Sequence, residues 1–475
     1  MRLLATLPLL IGLAACGDSP PTLNTPATPA PTPVPTPAPS PAPTPSPAPV
    51  PAPIPVPIPV PVPVAKVCES YSGPELSTLK AYEGLMHEHS SYSDGDPQSI
   101  PADYFRIADT SSYSFVGSSE HSDTLDAGNF LALHASCTPG DDAFDPESVE
   151  YCFLNPTADN LVKWASTATQ ATNASNDHFL AIRGFEWTSD VFGHINVYFS
   201  TNFTNAKTDG GYAVAMDTFW DWFTRDPATP GAGGSGTSTV INGGAGVPFG
   251  GGGDGLAHFN HPHDKCQTKN DPSGATAGLC DWNDYKYIPA AAERMFGMEL
   301  YNDGNRDDRY ESYYARALDK GWHLAPIGSE DEHFAQYAVD FRPKTVTLAQ
   351  GLTAADFKAA WLARRTYALS PGQHLRAALT ADQSHPMGST LTCAAGKTVP
   401  LDVAMTQKDG SAFEGEYRLY TNGGEQLATV KGSSAHFELP VPASGAPERW
   451  YYVRVHGGAE NKSVAYLAPV WVKAK

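Results

Sequence analysis

From Pro29 to Pro63 every second residue is proline, and no other stretch constrains the chain as much. Each proline fixes its own φ, lacks an amide donor and pushes its predecessor to extended geometry, so neither a helix nor a sheet interior can form there. A stiff polyproline II rod is predicted. Of the 43 prolines, 21 fall between Pro20 and Pro63, which separates a linker, residues 17–64, from the remainder of the chain. At about 3.1 Å per residue, roughly 45 residues of such a rod reach on the order of 100 Å. The rod reads as a spacer. A ligand for proline-binding modules is the alternative, and nothing flanking the run favours it.

The remainder is long and apolar enough for at least one large core, since the 475-residue chain is 41% hydrophobic. It also carries the charge. Before Lys66 only Arg2 and Asp18 are charged and they cancel, leaving the formal −20 to the rest, with no basic run to neutralise a phosphate backbone. That excludes nucleic-acid binding by charge.

Residues 1–16 read MRLLATLPLLIGLAAC, one arginine and an apolar run too short to span a bilayer permanently. This is the pattern of an export signal. Its Leu13-Ala14-Ala15-Cys16 ending resembles a bacterial lipobox, in which the cysteine is acylated and anchors the mature protein to a membrane. An ordinary cleaved signal peptide is the alternative. Gly17 follows the cysteine directly, so an inner-membrane retention aspartate is absent at that position, which favours the outer membrane if there is one. An extracytoplasmic, lipid-anchored location is expected.

Six further cysteines, Cys68, Cys137, Cys152, Cys266, Cys280 and Cys393, allow fifteen disulfide connectivities. The close spacings suggest Cys137 with Cys152 and Cys266 with Cys280, leaving Cys68 to meet Cys393. A thiolate metal site is the rival, but there is no C-x-x-C pair.

Between about Tyr82 and Ser370, β-prone runs alternate with amphipathic helical stretches. Strands are expected over Tyr82–His89, Tyr113–Ser119, Phe179–Trp187, His194–Phe199, Leu256–Asn260, Met295–Tyr301 and His323–Ile327. Helices are expected over Ala102–Thr110, Ala158–Thr172, Ala213–Thr224, Arg309–Lys320 and Ala354–Arg364. The alternation implies βαβ units wound into an α/β barrel or sheet over residues 65–370. Residues 371–475 instead show β runs separated by turn residues, as in an all-β sandwich. The segment Gly231–Gly255 has twelve glycines in 25 residues but lacks a G-K-[ST] ending, so it reads as a mobile surface insertion and a possible lid rather than a phosphate loop.

Most of the 15 histidines cluster at the ends of the expected strands. His87 and His89 are two apart, so both imidazoles point to one side of a strand and can reach one ion. Asp94, Glu120-His121, Glu186 with His194, the group His258, His261 and His263, and Asp331-Glu332-His333 fall at later strand ends. In a barrel of parallel strands such ends converge on one mouth. Any single cluster is ordinary; five at successive strand-to-loop junctions point to a multinuclear metal site.

The order and spacing of these motifs resemble the polymerase and histidinol phosphatase (PHP) superfamily, in particular its CehA/McbA-like branch. The carrying residues are Leu85-Met86-His87-Glu88-His89-Ser90 with Tyr92-Ser93-Asp94-Gly95, Gly184-Phe185-Glu186 with Gly193-His194-Ile195-Asn196-Val197, Asn260-His261-Pro262-His263, Gly328-Ser329-Glu330-Asp331-Glu332-His333, and Ala363-Arg364-Arg365-Thr366-Tyr367-Ala368. The resemblance covers about residues 82–370 and implies a distorted (β/α)7 TIM-like barrel with two or three divalent ions, Zn²⁺, Mn²⁺ or Fe²⁺. It implies that His87, His89, Glu186 and Asp331 hold one ion, Glu186 with His194 and His261 a second, and Asp94, His121 and His333 a third. Ser119-Glu120-His121 stands where the family has Thr-Asp-His, and Glu330 is an added residue before Asp331.

Such a site performs hydrolysis with a metal-activated water, on a small phosphoester or a carboxyl or carbamate ester. His263 and Asp331 are candidates for proton transfer, and Arg365 for binding an anionic substrate. No G-x-S-x-G, H-E-x-x-H or P-loop motif offers another chemistry. The competing class is a non-catalytic surface protein with a structural metal site, in which the β-sandwich binds glycan or cell-wall polymer.

Overall fold

The computed structural model describes residues 66–123, 125, 162–206, 214–231, 250–265, 279–303, 309–458 and 460–475. All fall in one compact unit, Val64–Lys475. The signal, Cys16, the proline rod, Cys137 and Cys152, Cys266, and most of the glycine-rich insertion lie outside the described residues.

The fold is mixed α/β. The strands of the first part are β1 (Lys80–Leu85), β2 (Phe115–Gly117), β3 (Leu180–Ile182), β4 (Gly184–Ser189), β5 (Gly193–Tyr198), β6 (Leu256–Phe259), β7 (Met295–Asn302), β8 (Ala325–Ser329), β9 (Lys344–Ala349) and β10 (Thr366–Leu369). After them come β11 (Arg376–Ala381), β12 (His385–Pro386), β13 (Thr390–Cys393), β14 (Thr398–Thr406), β15 (Gly415–Thr421), β16 (Glu425–Gly432), β17 (Ser434–Pro440), β18 (Arg449–Gly457), β19 (Lys462–Leu467) and β20 (Val470–Ala474). Helices occupy Pro101–Thr110, Val162–Ala174, Met216–Thr224, Glu311–Asp319 and Ala354–Leu362, close to the expected positions.

Where apolar periodicity is clean, the elements form as the pattern dictates. Pro101 starts the first helix with a fixed φ while Asp103 accepts from the Ile100 amide, and Tyr104, Phe105 and Ala108 bury one face. The expected strand Phe179–Trp187 divides at Arg183 into β3 and β4, which enter different sheets. The Arg183 guanidinium leaves the apolar row to cover the Trp164 ring at 3.8 Å and donates to Ser200 O, ending one strand before the next begins.

One sheet runs β13-β20-β18-β19-β10-β9-β1-β2-β3, with β15 and β16 attached through β18; a second is β4-β5-β6-β7-β8; a third is β12-β11-β14-β17. The expected all-parallel arrangement is corrected. β1–β2, β2–β3, β6–β7 and β7–β8 are parallel, but β4–β5 and β5–β6 are antiparallel. Only Asp190, Val191 and Phe192 join β4 to β5, far too few for the crossover that parallel neighbours need. Two isolated parallel bridges tie the segments that follow β1 and β2 to the second sheet: Glu88 with Glu332, just past β8, and His121 with Glu186, inside β4.

Beyond Ser370 the two sheets pack through a largely aliphatic core that includes Leu379, Leu391, Val399, Leu401, Val403, Leu419, Val453 and Val472. β10 pairs with β19, so the first sheet continues across residue 370. Cys68 and Cys393 form a disulfide, and Cys280 is disulfide-bonded. At the described end of the glycine-rich insertion the glycines serve packing. A Cβ at Gly251 would lie 2.1 Å from Arg225 O and one at Gly252 would lie 2.4 Å from the Trp222 ring, while both amides bond back to residues 222–226. Among the described residues, no helix is long and apolar enough to cross a membrane.

Candidate metal centre

The chain leaving β1 continues as an extended segment beside the one leaving β8. The Asp331 amide donates to His87 O at 2.9 Å, and the His89 amide donates to Glu332 O at 3.1 Å. The period of two then sends His87 and His89 to one side, where Asp331 Oδ1 lies 3.3 Å from both Nε2 atoms. From the other sheet, β4 delivers Glu186 and β5 delivers His194. Glu186 Oε1 lies 3.1 Å from His87 Nε2, 2.9 Å from His194 Nδ1 and 3.4 Å from His261 Nε2. Its Oε2 lies 2.7 Å from His121 Nδ1. Toward solvent, Asp94 Oδ1 meets His121 Nε2 at 3.0 Å and His333 Nε2 at 3.2 Å.

All nine expected ligands therefore converge. Their donor atoms form four overlapping groups, each within 4.8 Å: His87-His89-Asp331, His87-Glu186-His261, His121-Glu186-His194, and His89-Asp94-His121-His333. Glu186 is shared by two of them, with His194 and His261 on separate sides. The group His87-Glu186-His261 is fully buried, whereas Asp94 is half exposed and His333 is 28% exposed, which leaves one open face.

The donor set fits divalent metal ions. His87 Nε2, His89 Nε2 and His194 Nε2 are buried and make no hydrogen bond. Buried nitrogens that make no hydrogen bond are costly unless a cation takes their lone pairs. The charge pattern agrees. Burial works against a charged His87, yet the carboxylates of Asp331, Glu186 and Glu299 hold its pKa well above the ordinary value. Burial and the neighbouring His333 and His121 push His89 down to about 3. Despite burial, His194, His87 and His121 keep Glu186 well below the carboxylate range, and His87 and His89 do the same for Asp331. Carboxylates pooled this strongly call for positive charge, and metal ions would supply it.

Glu299, absent from the expected set, is fully buried in β7. It accepts from His87 Nδ1 at 2.8 Å, from the His261 amide at 2.7 Å and from Ser329 Oγ at 2.5 Å. Fixing Nδ1 turns His87 Nε2 toward the centre. The sequence does carry a signal for it: a lone carboxylate within the apolar run Phe296–Leu300 of an expected strand. Asn260 was likewise missed as a contact, and its Nδ2 donates to Glu186 Oε1 at 2.7 Å.

Both departures from the family pattern have a structural account. Glu120 faces away from the ligands and accepts from Ser90 Oγ and Ser93 Oγ, each at 2.5 Å, tying down the loop that carries Asp94. Burial pushes its carboxyl up. The extra Glu330 turns inward, where it accepts from the Ala338 amide, and Asp331 absorbs the insertion with a φ of 51°. Asp331 thus still reaches both imidazoles.

Two expected residues stand apart. His263 belongs to none of the four groups; it is 54% exposed, stacks on Tyr313 with ring centroids 5.2 Å apart and lies 3.2 Å from Asp281. Arg365 is a correction. β10 is antiparallel to β9 and β9 is antiparallel to β1, so β10 runs in the same direction as β1. Arg365 precedes β10 and therefore sits at the start of β1, while the ligands follow its end. Arg365 Nε bonds Leu348 O, and Leu348 pairs with Ala81, six residues before His87. That is about 20 Å of strand.

No protein-family model and no curated protein matches the chain. Among solved structures, it is similar to a two-domain protein containing a predicted PHP-like metal-dependent phosphoesterase from Bacteroides vulgatus. The identity is 16% and the TM-score 0.39, over 86% of this chain and 100% of that one. Similarity this distant leaves the chemistry to be read from the side chains themselves.

Proposed function

We propose that the chain is an exported, lipid-anchored, metal-dependent hydrolase of the PHP type, from the CehA/McbA-like branch, acting on a small phosphoester or a carboxyl or carbamate ester. One observation carries this: seven ligand-type side chains from separate parts of the chain gather around Glu186 and Asp331, and the buried Nε2 atoms of His87, His89 and His194 among them make no hydrogen bond. In this reading residues 1–16 are the signal ending in the acylated Cys16, 17–64 the spacer, 65–370 the distorted barrel and 371–475 the β-sandwich.

His87, His89 and Asp331 would hold one ion, Glu186 with His194 and His261 a second, and Asp94, His121 and His333 a third. Divalent ions supply Lewis acidity and lower the pKa of a water. The chain's own part is positioning. Glu299 fixes the orientation of His87, and Ser93 lies 3.3 Å from His89 Nδ1. Despite burial, the neighbouring His87, His89 and His261 hold the Asp331 carboxyl well below the carboxylate range, which suits it to holding an ion. His263, more than half exposed and outside the four ligand groups, would act on a leaving group rather than hold an ion. The open side at Asp94 and His333 is where an ester would enter.

The test is elemental analysis of the purified protein together with hydrolysis of p-nitrophenyl phosphate, bis-p-nitrophenyl phosphate and 1-naphthyl methylcarbamate, with and without chelator. Two or three equivalents of metal and chelator-sensitive turnover are expected, and the preferred ester selects the substrate class. A folded protein that gains neither metal nor activity on reconstitution would overturn the proposal and favour a binding role for the β-sandwich.

A further inference from the structure

The end of β1 remote from the histidines has a second polar site. A cavity of about 310 Å³ lies between the segment Glu69–Ser72, the residues leading into β10, and β12 and β13. Arg365 lines it. This residue is only 5% exposed, its Nε donates to Leu348 O at 3.2 Å, and among the described residues its two terminal nitrogens have no protein acceptor. A guanidinium held by its Nε has its remaining N–H groups fixed as a planar fork, which matches two oxygens of an oxyanion.

The other walls supply hydroxyls. In β13 the buried Leu391 and Cys393 alternate with Thr390 and Thr392, which face the cavity side, and Ser389 precedes them. His385 is 4% exposed and packs edge-on against Tyr71 at 5.5 Å, closing one side with aromatic surface. The nearest carboxylates are engaged elsewhere. Glu69, which also lines the cavity, is 59% exposed and pairs with Lys475 at 3.5 Å, and Asp382 accepts from the Val67 and Cys68 amides. The wall at residues 69–72 is held in place, since the Glu69 amide bonds Thr392 O and the adjacent Cys68 is linked to Cys393.

We propose that this cavity is an oxyanion site, separate from the metal centre, that takes the phosphate, sulfate or carboxylate group of a small molecule on Arg365. The test is calorimetric titration of the full chain with inorganic phosphate, sulfate and acetate, repeated on Arg365→Gln, Arg365→Lys and Ser72→Trp. Ser72 is an exposed residue of the cavity wall, so a tryptophan there obstructs the cavity while Arg365 itself is unaltered, and the test survives if Arg365→Gln does not fold. A saturable component is expected that weakens about tenfold or more in Arg365→Gln, is also lost in Ser72→Trp, and partly returns in Arg365→Lys, which keeps the charge but not the fork. Anions bound at the metal centre would be indifferent to all three changes. Absence of saturable binding by the unaltered protein, or binding in both Arg365→Gln and Ser72→Trp that is unchanged from the unaltered protein, would overturn the site.

Discussion

The strands around the candidate metal centre and the strands β14 and β17 bury themselves in different ways. β4, β5 and β7 are buried at every position, so Glu186, His194 and Glu299 lie in the interior. β14 and β17 alternate, with their polar side chains turned outward. The packing differs too. Around the first strands it is aromatic, with Trp187, Trp222, Trp282 and Trp322, while the later core is mostly leucine and valine. A strand buried on both faces has no solvent side on which to leave a charge, so its polar groups must satisfy one another or hold an ion. A half-buried strand faces no such demand, and its chemistry is correspondingly plain.

The contrast can be broken from either side. Replacing Glu186 by Gln is expected to have the largest effect: metal content falls and ester turnover drops on the order of a thousandfold, read by elemental analysis and kcat/KM, with the circular dichroism spectrum retained. In the aliphatic core, Leu401→Ala leaves a cavity that costs about 3 kcal/mol, measured by urea denaturation, and metal content stays unchanged. Should that variant also lose metal, the two regions would not be separable in the way their burial implies. Glu299→Gln sharpens the comparison, because it touches no ion: metal affinity weakens about tenfold to a hundredfold as His87 loses its orienting acceptor, measured by competition with a chelator.

The smallest effect concerns the seam between the regions. Glu83 of β1 pairs with Arg376 at the start of β11 and with His374 at 2.8 Å. Burial alone would raise its carboxyl, but Arg376 and His374 hold it below its ordinary 4.5. A depressed carboxyl stabilises the fold in full above its unfolded pKa, and loses that contribution as pH falls through the folded value. Glu83→Gln should therefore cost about 2 kcal/mol at neutral pH. The gap between the two proteins should close below pH 4.5 in melts recorded across the acid range.

Legibility in the sequence followed the same division. The helices were readable because their apolar residues repeat at the helical period, and β14 and β17 because theirs alternate. β9 and β10 are not among the expected strands: Lys344–Ala349 and Thr366–Leu369 are short runs, buried nearly throughout by neighbours distant in the chain.

 Short strands of that kind take their conformation from their partners, and the partners are not visible in a linear chain. Among the candidate site residues, the nine that converge were legible because imidazoles and carboxylates near strand ends are unusual in a cluster. Glu299 and Asn260 were overlooked because each is a single polar residue within an apolar run. Arg365 was misplaced because its motif adjoins the ligands in the family pattern, whereas two antiparallel pairings put it at the other end of β1.

By itself, the sequence determined the composition of this protein's chemistry: which side chains can bind a metal, and that they recur near strand ends. Those properties are local, set by residue type and by spacings of two or three positions. Only the tertiary structure decided how the groups share atoms, with Glu186 placed between His261 on one side and His121 on the other, and Arg365 turned toward a separate cavity. Those relations depend on strand direction and pairing across more than a hundred residues, which no local pattern encodes.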